Sequence, residues 1–277
     1  MVDIGNFTSA SFENFDIDLV QNEVGGGTVS TGQIDEAIWN NPDARSIVIS
    51  GLKQDTFEYF IKQYGKQFDA ISFWKNKLVG DLSPLGTLSG IKFINWFSNQ
   101  RSVSLWDMSG NKSLKGLGIY DFSRLHDISE IRTAPDLEFF GLGDIVWAGM
   151  VIDSLKPVAD STVRHFEWCG KTVSDHDYKC LAKGKIEVLD INPTRFTMDE
   201  LTDLLALFPE TLSGCITIPY VTGRITTKDN SGCTTYNYLC KNKKVCVAGK
   251  DDERFQKYLK DFDALLKEKR SKVKDPV

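Results

Sequence analysis

Long hydrophobic runs are missing from this sequence. None of its 277 residues belong to an apolar run of about 18 residues or more, and a membrane-spanning helix needs about 20. The first 30 residues contain no lysine, no arginine and no apolar core, so they do not resemble a secretory signal of the Sec type. Both absences lead us to expect a cytoplasmic protein that does not enter a membrane.

Metal and nucleotide motifs are missing as well. The six cysteines contain no C-x-x-C pair, and the spacing of Cys233, Cys240 and Cys246 fits no structural zinc site. The segment Gly110–Ser113 lacks the second glycine and the spacing of a phosphate-binding loop. We therefore expect no cofactor and no metal, with the cysteines buried or free. A disulfide among the last four is the alternative for an exported protein.

One candidate pair of nucleophile and base remains, Cys169 with His165. Four residues along a strand span about 13 Å, which is beyond the hydrogen-bonding reach that such a pair needs. The other two histidines, His126 and His176, have no matched partner. The sequence therefore predicts that the protein is not an enzyme.

The charge balance restricts the partners. A formal net charge of −5 argues against nucleic acid and favours a basic partner. Basic residues gather in the segment Lys267–Lys274, where cations suit the carboxyl end of a helix because of its dipole.

The sequence does contain a regular apolar pattern between Phe68 and Leu142. The pattern consists of repeated segments, each of which we call a line. The lines start at Phe68, Ile91, Leu114 and Leu137, each 23 residues after the one before, and they have apolar residues at positions 1, 4 and 6. Position 4 can be followed along the chain as Ile47, Ile71, Ile94, Leu117, Phe140, Phe166, Leu189, Ile216 and Val245. A fixed period of this length predicts stacked repeats, each adding one strand to a parallel sheet.

The second line, Ile91–Asn99, fits the motif L-x-x-L-x-L-x-x-N with aromatic and isoleucine substitutions, and residues 78–88 are similar to the variable half of the same motif. The sequence thereby resembles the leucine-rich repeat family. The resemblance implies an α/β fold, a leucine-rich-repeat solenoid shaped as a curved horseshoe with a parallel β-sheet on its concave face and helices or turns on its convex face. It also implies a binding protein, without naming the partner.

The predicted organisation is one continuous domain in three parts. Residues 1–67 form an irregular segment and a capping unit, residues 68–221 form repeats of 23 to 27 residues, and residues 222–277 form an insertion, a last strand and a capping amphipathic helix. Helical spacing predicts helices over 31–40, 55–66, 198–208 and 251–269. Two late strands are expected over 213–221 and 243–247.

The candidate binding residues come from strand alternation. Positions 3, 5 and 7 of each line should point away from the core and line the concave face. Large aromatic residues recur there and are predicted to face water as anchors for a partner. They are Trp74, Phe93, Phe97, Tyr120 and Phe139.

Four glycines are predicted to form the floor of a trough on the same face: Gly116, Gly118, Gly141 and Gly143. Glycine inside a strand often marks a place where another group approaches the backbone closely. The alternative is that the aromatic side chains cover one another or lie under a loop, and that the glycines relieve crowding.

Polar residues complete the predicted site: Asn95, Asp144, His165, Glu167 and Asp190. Glu167 and Asp190 occupy position 5 of neighbouring lines, and two carboxylates this close repel each other unless a cation or a proton relieves them. We interpret them as an acidic patch for a basic partner.

The leading hypothesis is a non-catalytic module that binds a partner protein through the concave face, by analogy with inhibitors or immunity-type proteins that occlude a basic enzyme. The first alternative is recognition of a glycan or small ligand in the aromatic and glycine trough. The second is an effector-type enzyme with a fused catalytic tail, which the short region after Thr222 argues against. The oligomeric state is left open.

Overall fold

The computed structural model describes residues 15–146, 149–226, 233–241 and 245–274. The chain divides into two compact units, Met1–Ile186 and Glu187–Val277. Within the described residues, no helix combines the length and the apolar character needed to cross a membrane.

The first unit is built on a long parallel sheet. Its strands are hydrogen-bonded side by side in the order β1-β2-β3-β4-β5-β6-β8. Their bounds are β1 Ile17–Leu19, β2 Ser46–Ser50, β3 Ala70–Trp74, β4 Phe93–Asn99, β5 Gly116–Phe122, β6 Phe139–Gly143 and β8 His165–Trp168. A separate parallel pair joins β7, Val151–Ile152, to β9, Thr172–Val173.

The register of this sheet follows the apolar period. Ile71 lies beside Ile94, Leu117 beside Phe140, and Phe140 beside Phe166, so position 4 of each line faces position 4 of the next. All five of these side chains are fully buried. The predicted parallel pairing of these lines is therefore confirmed.

Helices and short turns connect the strands of the first unit. They are α1 Thr31–Trp39, α2 Gln54–Gln63, α3 Lys156–Ala159, and 3-10 helices at Gly65–Gln67, Ser83–Thr87, Ser129–Thr133 and Tyr178–Lys183. Helix α1 begins where predicted because the Ser30 and Gln33 side chains cap each other's backbone. Phe57 of helix α2 packs edge-on against the rings of Phe73 and Trp96.

Buried asparagines fix the loops that leave the strands. Asn76 accepts a hydrogen bond from the Leu52 N–H at 2.8 Å and donates to the Ile49 carbonyl at 2.8 Å. Asn99 donates to the Val79 carbonyl at 2.9 Å and accepts from the Ser102 N–H at 2.8 Å. These side chains provide the backbone with partners that a turn cannot supply itself.

The second unit has a different construction. It contains β10 Val188–Ile191, α4 Met198–Ala206, β11 Tyr220–Thr226, β12 Cys233–Leu239, β13 Cys246–Val247 and α5 Asp252–Lys274, with 3-10 helices at Pro193–Arg195 and Cys215–Thr217. Strands β11, β12 and β13 form an antiparallel sheet in that order. Helices α4 and α5 are joined by Lys269, whose ammonium group lies 2.7 Å from both Asp199 and Asp203.

The predicted curved horseshoe solenoid is wrong. The structure is a mixed α/β arrangement with a long parallel sheet, a small antiparallel sheet and few helices. The predicted late repeats fail first: Ile216 lies in a 3-10 helix, and Val245 precedes the short strand β13. Strands β11 and β12 are rich in threonine and tyrosine and close in sequence, so they pair locally and antiparallel.

Candidate binding surface

The aromatic residues on the outer face of the parallel strands are mostly buried. Phe93 is 7% exposed, Phe97 5%, Tyr120 4% and Phe139 1%. The expectation that these four side chains face water is therefore wrong. Their assignment to a partner-binding face remains a prediction, and in this conformation they do not present themselves to a partner.

The two phenylalanines of position 3 meet above a glycine. Gly116 lies between Phe93 and Phe139 in the sheet. Phe93, Phe139 and Ala70 form one buried cluster. Because Gly116 has no side chain, both rings have room to close over it.

Tyr120 fills the space above the next two glycines. A Cβ atom at Gly118 would collide with the Asn95 amide and the Tyr120 ring, and one at Gly141 would collide with the Tyr120 hydroxyl. A Cβ atom at Gly143, whose φ is +141°, would meet Cys169 and Gly170. These glycines relieve crowding between the protein's own groups, which counts against a ligand-sized trough at this place.

The Tyr120 hydroxyl reaches across to a carboxylate. It donates to Glu167 Oε2 at 3.3 Å. Burial raises the pKa of Tyr120 well above its ordinary value, with smaller contributions from the charges of Glu167 and Cys169. Half-buried Glu167 is thus occupied by an internal partner, and half-buried His165 packs edge-on against Phe139 at 4.9 Å between ring centroids.

The remaining predicted carboxylates are also used by the chain. Asp144 accepts the Met150 N–H at 2.6 Å. Asp190, in the second unit, accepts the Cys215 N–H at 2.7 Å. Both side chains hold loops in place, which the sequence pattern did not indicate.

Trp74 differs from the other predicted aromatic anchors because it is only half-buried. Its ring stacks on Phe97 at 4.3 Å between centroids, with 26° between the planes. The ammonium group of Lys75 lies 5.2 Å from the ring centroid. The outer surface of this stack carries both aromatic and cationic character.

A row of exposed apolar residues lies in the loops that follow the strands. Leu78 follows β3, Val103 follows β4, and Ile145 and Val146 follow β6; each is between 49% and 57% exposed. We call these four residues the carboxyl-edge strip, since the carboxyl ends of parallel strands share one edge of the sheet. Sequence reasoning missed them because loop positions carry no apolar period.

The loops of the strip are held side by side by hydrogen bonds. The Gln100 N–H donates to the Lys77 carbonyl at 3.1 Å, and Ser102 Oγ donates to the Gly80 carbonyl at 2.8 Å. Lys75, Ser98 and Asp121, at the ends of three adjacent strands, all have positive φ. The backbone therefore takes a left-handed conformation at the corresponding point near the end of each of these strands.

Buried Asp121 supports the far end of the strip. Its carboxylate accepts the N–H groups of Ile145 and Val146 at 3.1 to 3.2 Å. These bonds hold the backbone while both side chains point outward, since Ile145 and Val146 remain exposed. This end of the strip is thus built on satisfied backbone groups.

Three cations lie in the loops of the same edge. In the part of the chain that the structure describes, Lys77, Arg101 and Arg124 make no ion pair. The opposite edge differs, because Asp69 pairs there with Arg45 and Lys92. Lys115 likewise pairs with Asp136 and Glu138. The carboxyl edge therefore combines exposed apolar side chains with cations that make no ion pair among the described residues.

The described residues contain no group of three side chains placed to hold a metal ion. Cys180 and Cys246 are free thiols. Burial raises the pKa of Cys180 to about 12, so this thiol stays protonated near neutral pH and is a poor nucleophile.

No family model matches this sequence, and no curated protein matches it either. The resemblance to leucine-rich repeat proteins rests on the sequence motif and stays a prediction.

Proposed function

We propose that this protein is a non-catalytic binding protein and that its partner is another protein, which docks on the carboxyl-edge strip of the first unit. The single observation that carries the proposal is the set Leu78, Val103, Ile145 and Val146, each about half exposed in the loops that follow β3, β4 and β6 at one edge of the sheet. Grouped exposed apolar residues on a protein surface commonly mark an interaction site.

The dimensions and rigidity of the strip suit a protein partner. Neighbouring strands lie about 4.8 Å apart, so loops spread over four strands cover about 14 Å. Asn99 and Asp121 fix the loop backbone. Docking on a surface already ordered costs less entropy than ordering loops on binding. The stacked Trp74 supplies an aromatic surface of the kind enriched at interfaces.

The charges favour an acidic partner surface. Lys77, Arg101 and Arg124 have no ion-pair partner among the described residues, so carboxylates of a partner need not displace internal ones. A basic partner, expected from Glu167 and Asp190, has less support because the Tyr120 hydroxyl and the Cys215 N–H already engage these carboxylates.

The test is capture of binding proteins with three baits: the wild type, a Leu78→Asp/Val103→Asp variant, and a Trp39→Asp control. Trp39 is 70% exposed on helix α1 and outside the strip. We expect the wild type and the control to retain the same protein, and the strip variant to bind it about tenfold or more weakly. Equal retention by all three baits would remove the strip as the binding surface.

A further inference from the structure

Strand β11 forms an open edge of the small antiparallel sheet in the second unit. It pairs along its whole length, Tyr220–Thr226, with β12 on one side. Apart from this ladder, the backbone groups of residues 221–226 take part in none of the hydrogen bonds between described residues. An edge of this kind presents N–H and C=O groups to a further strand.

The two faces of the strand have different surroundings. On one face, the Tyr220 ring meets Phe255 of α5 edge-on at 4.9 Å between centroids. Side chains alternate along a strand, so Val221, Gly223 and Ile225 share the other face. There Val221 and Ile225 are 37% and 54% exposed, and Tyr238 of β12 lies over Gly223.

The usual protections of an edge strand are weak here. Such strands are normally shielded by several charges, a proline, a bulge or a covering element. Strand β11 has one charged residue, Arg224, in its seven residues, and its ladder with β12 runs without a bulge.

We propose that β11 pairs antiparallel with β11 of a second copy of this chain, about a two-fold axis at Gly223. Each Val221 then lies opposite the partner's Ile225, each Thr222 lies opposite the partner's Arg224, and the two Gly223 residues face each other. The strand sequence is self-complementary in this register, as a two-fold interface requires. Apolar residues oppose apolar residues, and no like charges meet.

Neighbouring two-fold registers are less favourable. An axis at Arg224 would place the two arginines directly opposite each other, which is destabilising. An axis at Thr222 would place Ile225 opposite Pro219 and Tyr220 opposite Arg224. Since proline has no N–H to donate, that register also loses a hydrogen bond at its end. Only the axis at Gly223 matches Val221 with Ile225.

The resulting assembly is a six-stranded sheet made from the three strands of each copy. Its exposed face gains two identical Val221–Ile225 pairs beside the two Tyr238 rings. This inference uses only the second unit and is independent of the partner proposed for the first unit.

The experiment measures the mass of the full chain by sedimentation over a range of concentrations, for four proteins beside the wild type. They are Val221→Lys, Ile225→Glu, the double variant carrying both changes, and a Trp39→Lys control in the first unit, at a side chain that is exposed and outside the strip. Residues 221 and 225 are about 13 Å apart along one strand, so the new charges pair across the two-fold axis and not within one chain. Thermal melting checks that each variant is folded.

We expect a concentration-dependent dimer for the wild type and the control. Each single change should raise the dimer dissociation constant about tenfold or more. The two-fold axis repeats the change, so two charged side chains each lie opposite an apolar residue of the other copy. The double variant should recover most of the loss. A wild type that is monomeric at every concentration, a dimer that all variants retain, or a double variant no better than the single ones would each overturn the proposal.

Discussion

The Tyr64 hydroxyl donates a hydrogen bond of 2.6 Å to Asp35 Oδ1, and so ties the end of helix α2 to helix α1. The Tyr59 hydroxyl donates to the same oxygen at 2.7 Å. These bonds from Tyr59 and Tyr64 lower the pKa of Asp35 and raise the pKa values of both tyrosines. One carboxylate oxygen thereby holds two helices that pack on the same sheet.

This arrangement predicts a pH-dependent stability. The lowered pKa of Asp35 stabilises the fold above the ordinary aspartate value of about 3.9, and this contribution disappears as pH falls through the folded value. The raised tyrosine pKa values stabilise the fold below about 10, and this contribution is lost as pH rises through the folded values. The Asp35→Ala change should therefore lower the melting temperature near neutral pH and have little effect in strong acid.

Melting curves of the wild type and Asp35→Ala across the pH range provide the measurement. Glu36→Ala is the matched control, because Glu36 is exposed on the same helix. A melting-temperature difference that persists unchanged in strong acid would contradict the role given to the Asp35 carboxylate.

Asn99 gives a second prediction, about stability. Its side chain binds the Val79 carbonyl and the N–H groups of Arg101 and Ser102 at 2.8 to 2.9 Å, and it is 1% exposed. Asn99→Ala leaves these groups without a partner, and each unsatisfied buried group costs about 1–3 kcal/mol. We expect the free energy of unfolding to fall by about 2 kcal/mol or more. Denaturant titration measures this, and the exposed neighbour Gln100→Ala should stay close to the wild type.

The parallel part of the fold could be predicted from the sequence because two signals coincide there. The 23-residue period and the buried residues of position 4, such as Ile94 and Leu117, specify which residues are neighbours in the sheet. The second unit could not be predicted in this way. Its strands β11 and β12 have no period in common with the repeats, and their pairing depends on their closeness in sequence.

The candidate surface was less accessible to sequence reasoning. Alternation correctly separates Tyr120 from the core side chains Leu117 and Ile119, but it does not show that the ring lies over Gly141. Burial on the outer face depends on which side chains cover which glycine of a neighbouring strand. These residues are far apart in the sequence, so a local sequence pattern does not show the contact. The exposed strip depends on loops whose conformation is set by side-chain hydrogen bonds such as those of Asp121.

Gly141 gives a third prediction. A Cβ atom there collides with the Tyr120 hydroxyl, so Gly141→Ala should lower the free energy of unfolding by about 1–3 kcal/mol, as crowding in a packed interior does. Adding Tyr120→Phe removes the obstructing oxygen, so the double variant should lose less than the two single changes combined. Gly80→Ala is the control, since its added Cβ would meet Arg101 at 3.8 Å, an ordinary contact. Strictly additive losses would show that Tyr120 does not occupy this space.

The charges beside the strip give the last prediction, for the protein partner that the capture experiment isolates. Arg101 and Arg124 are exposed and have no ion pair among the described residues, so they attract an acidic surface before contact is made. Charges at the rim of an interface act mainly on the association rate, and added salt weakens them because the Debye length falls to about 3 Å at 1 M. Changing both arginines to glutamine should slow association several-fold at low salt, leave dissociation nearly unchanged, and flatten the salt dependence of the association rate.

Lys62→Gln, an exposed change on helix α2, is the matched control and should behave as the wild type. Binding kinetics at two salt concentrations provide the measurement. Association that is unaffected by salt and by both substitutions would leave the apolar strip as the anchor and would reject an acidic partner.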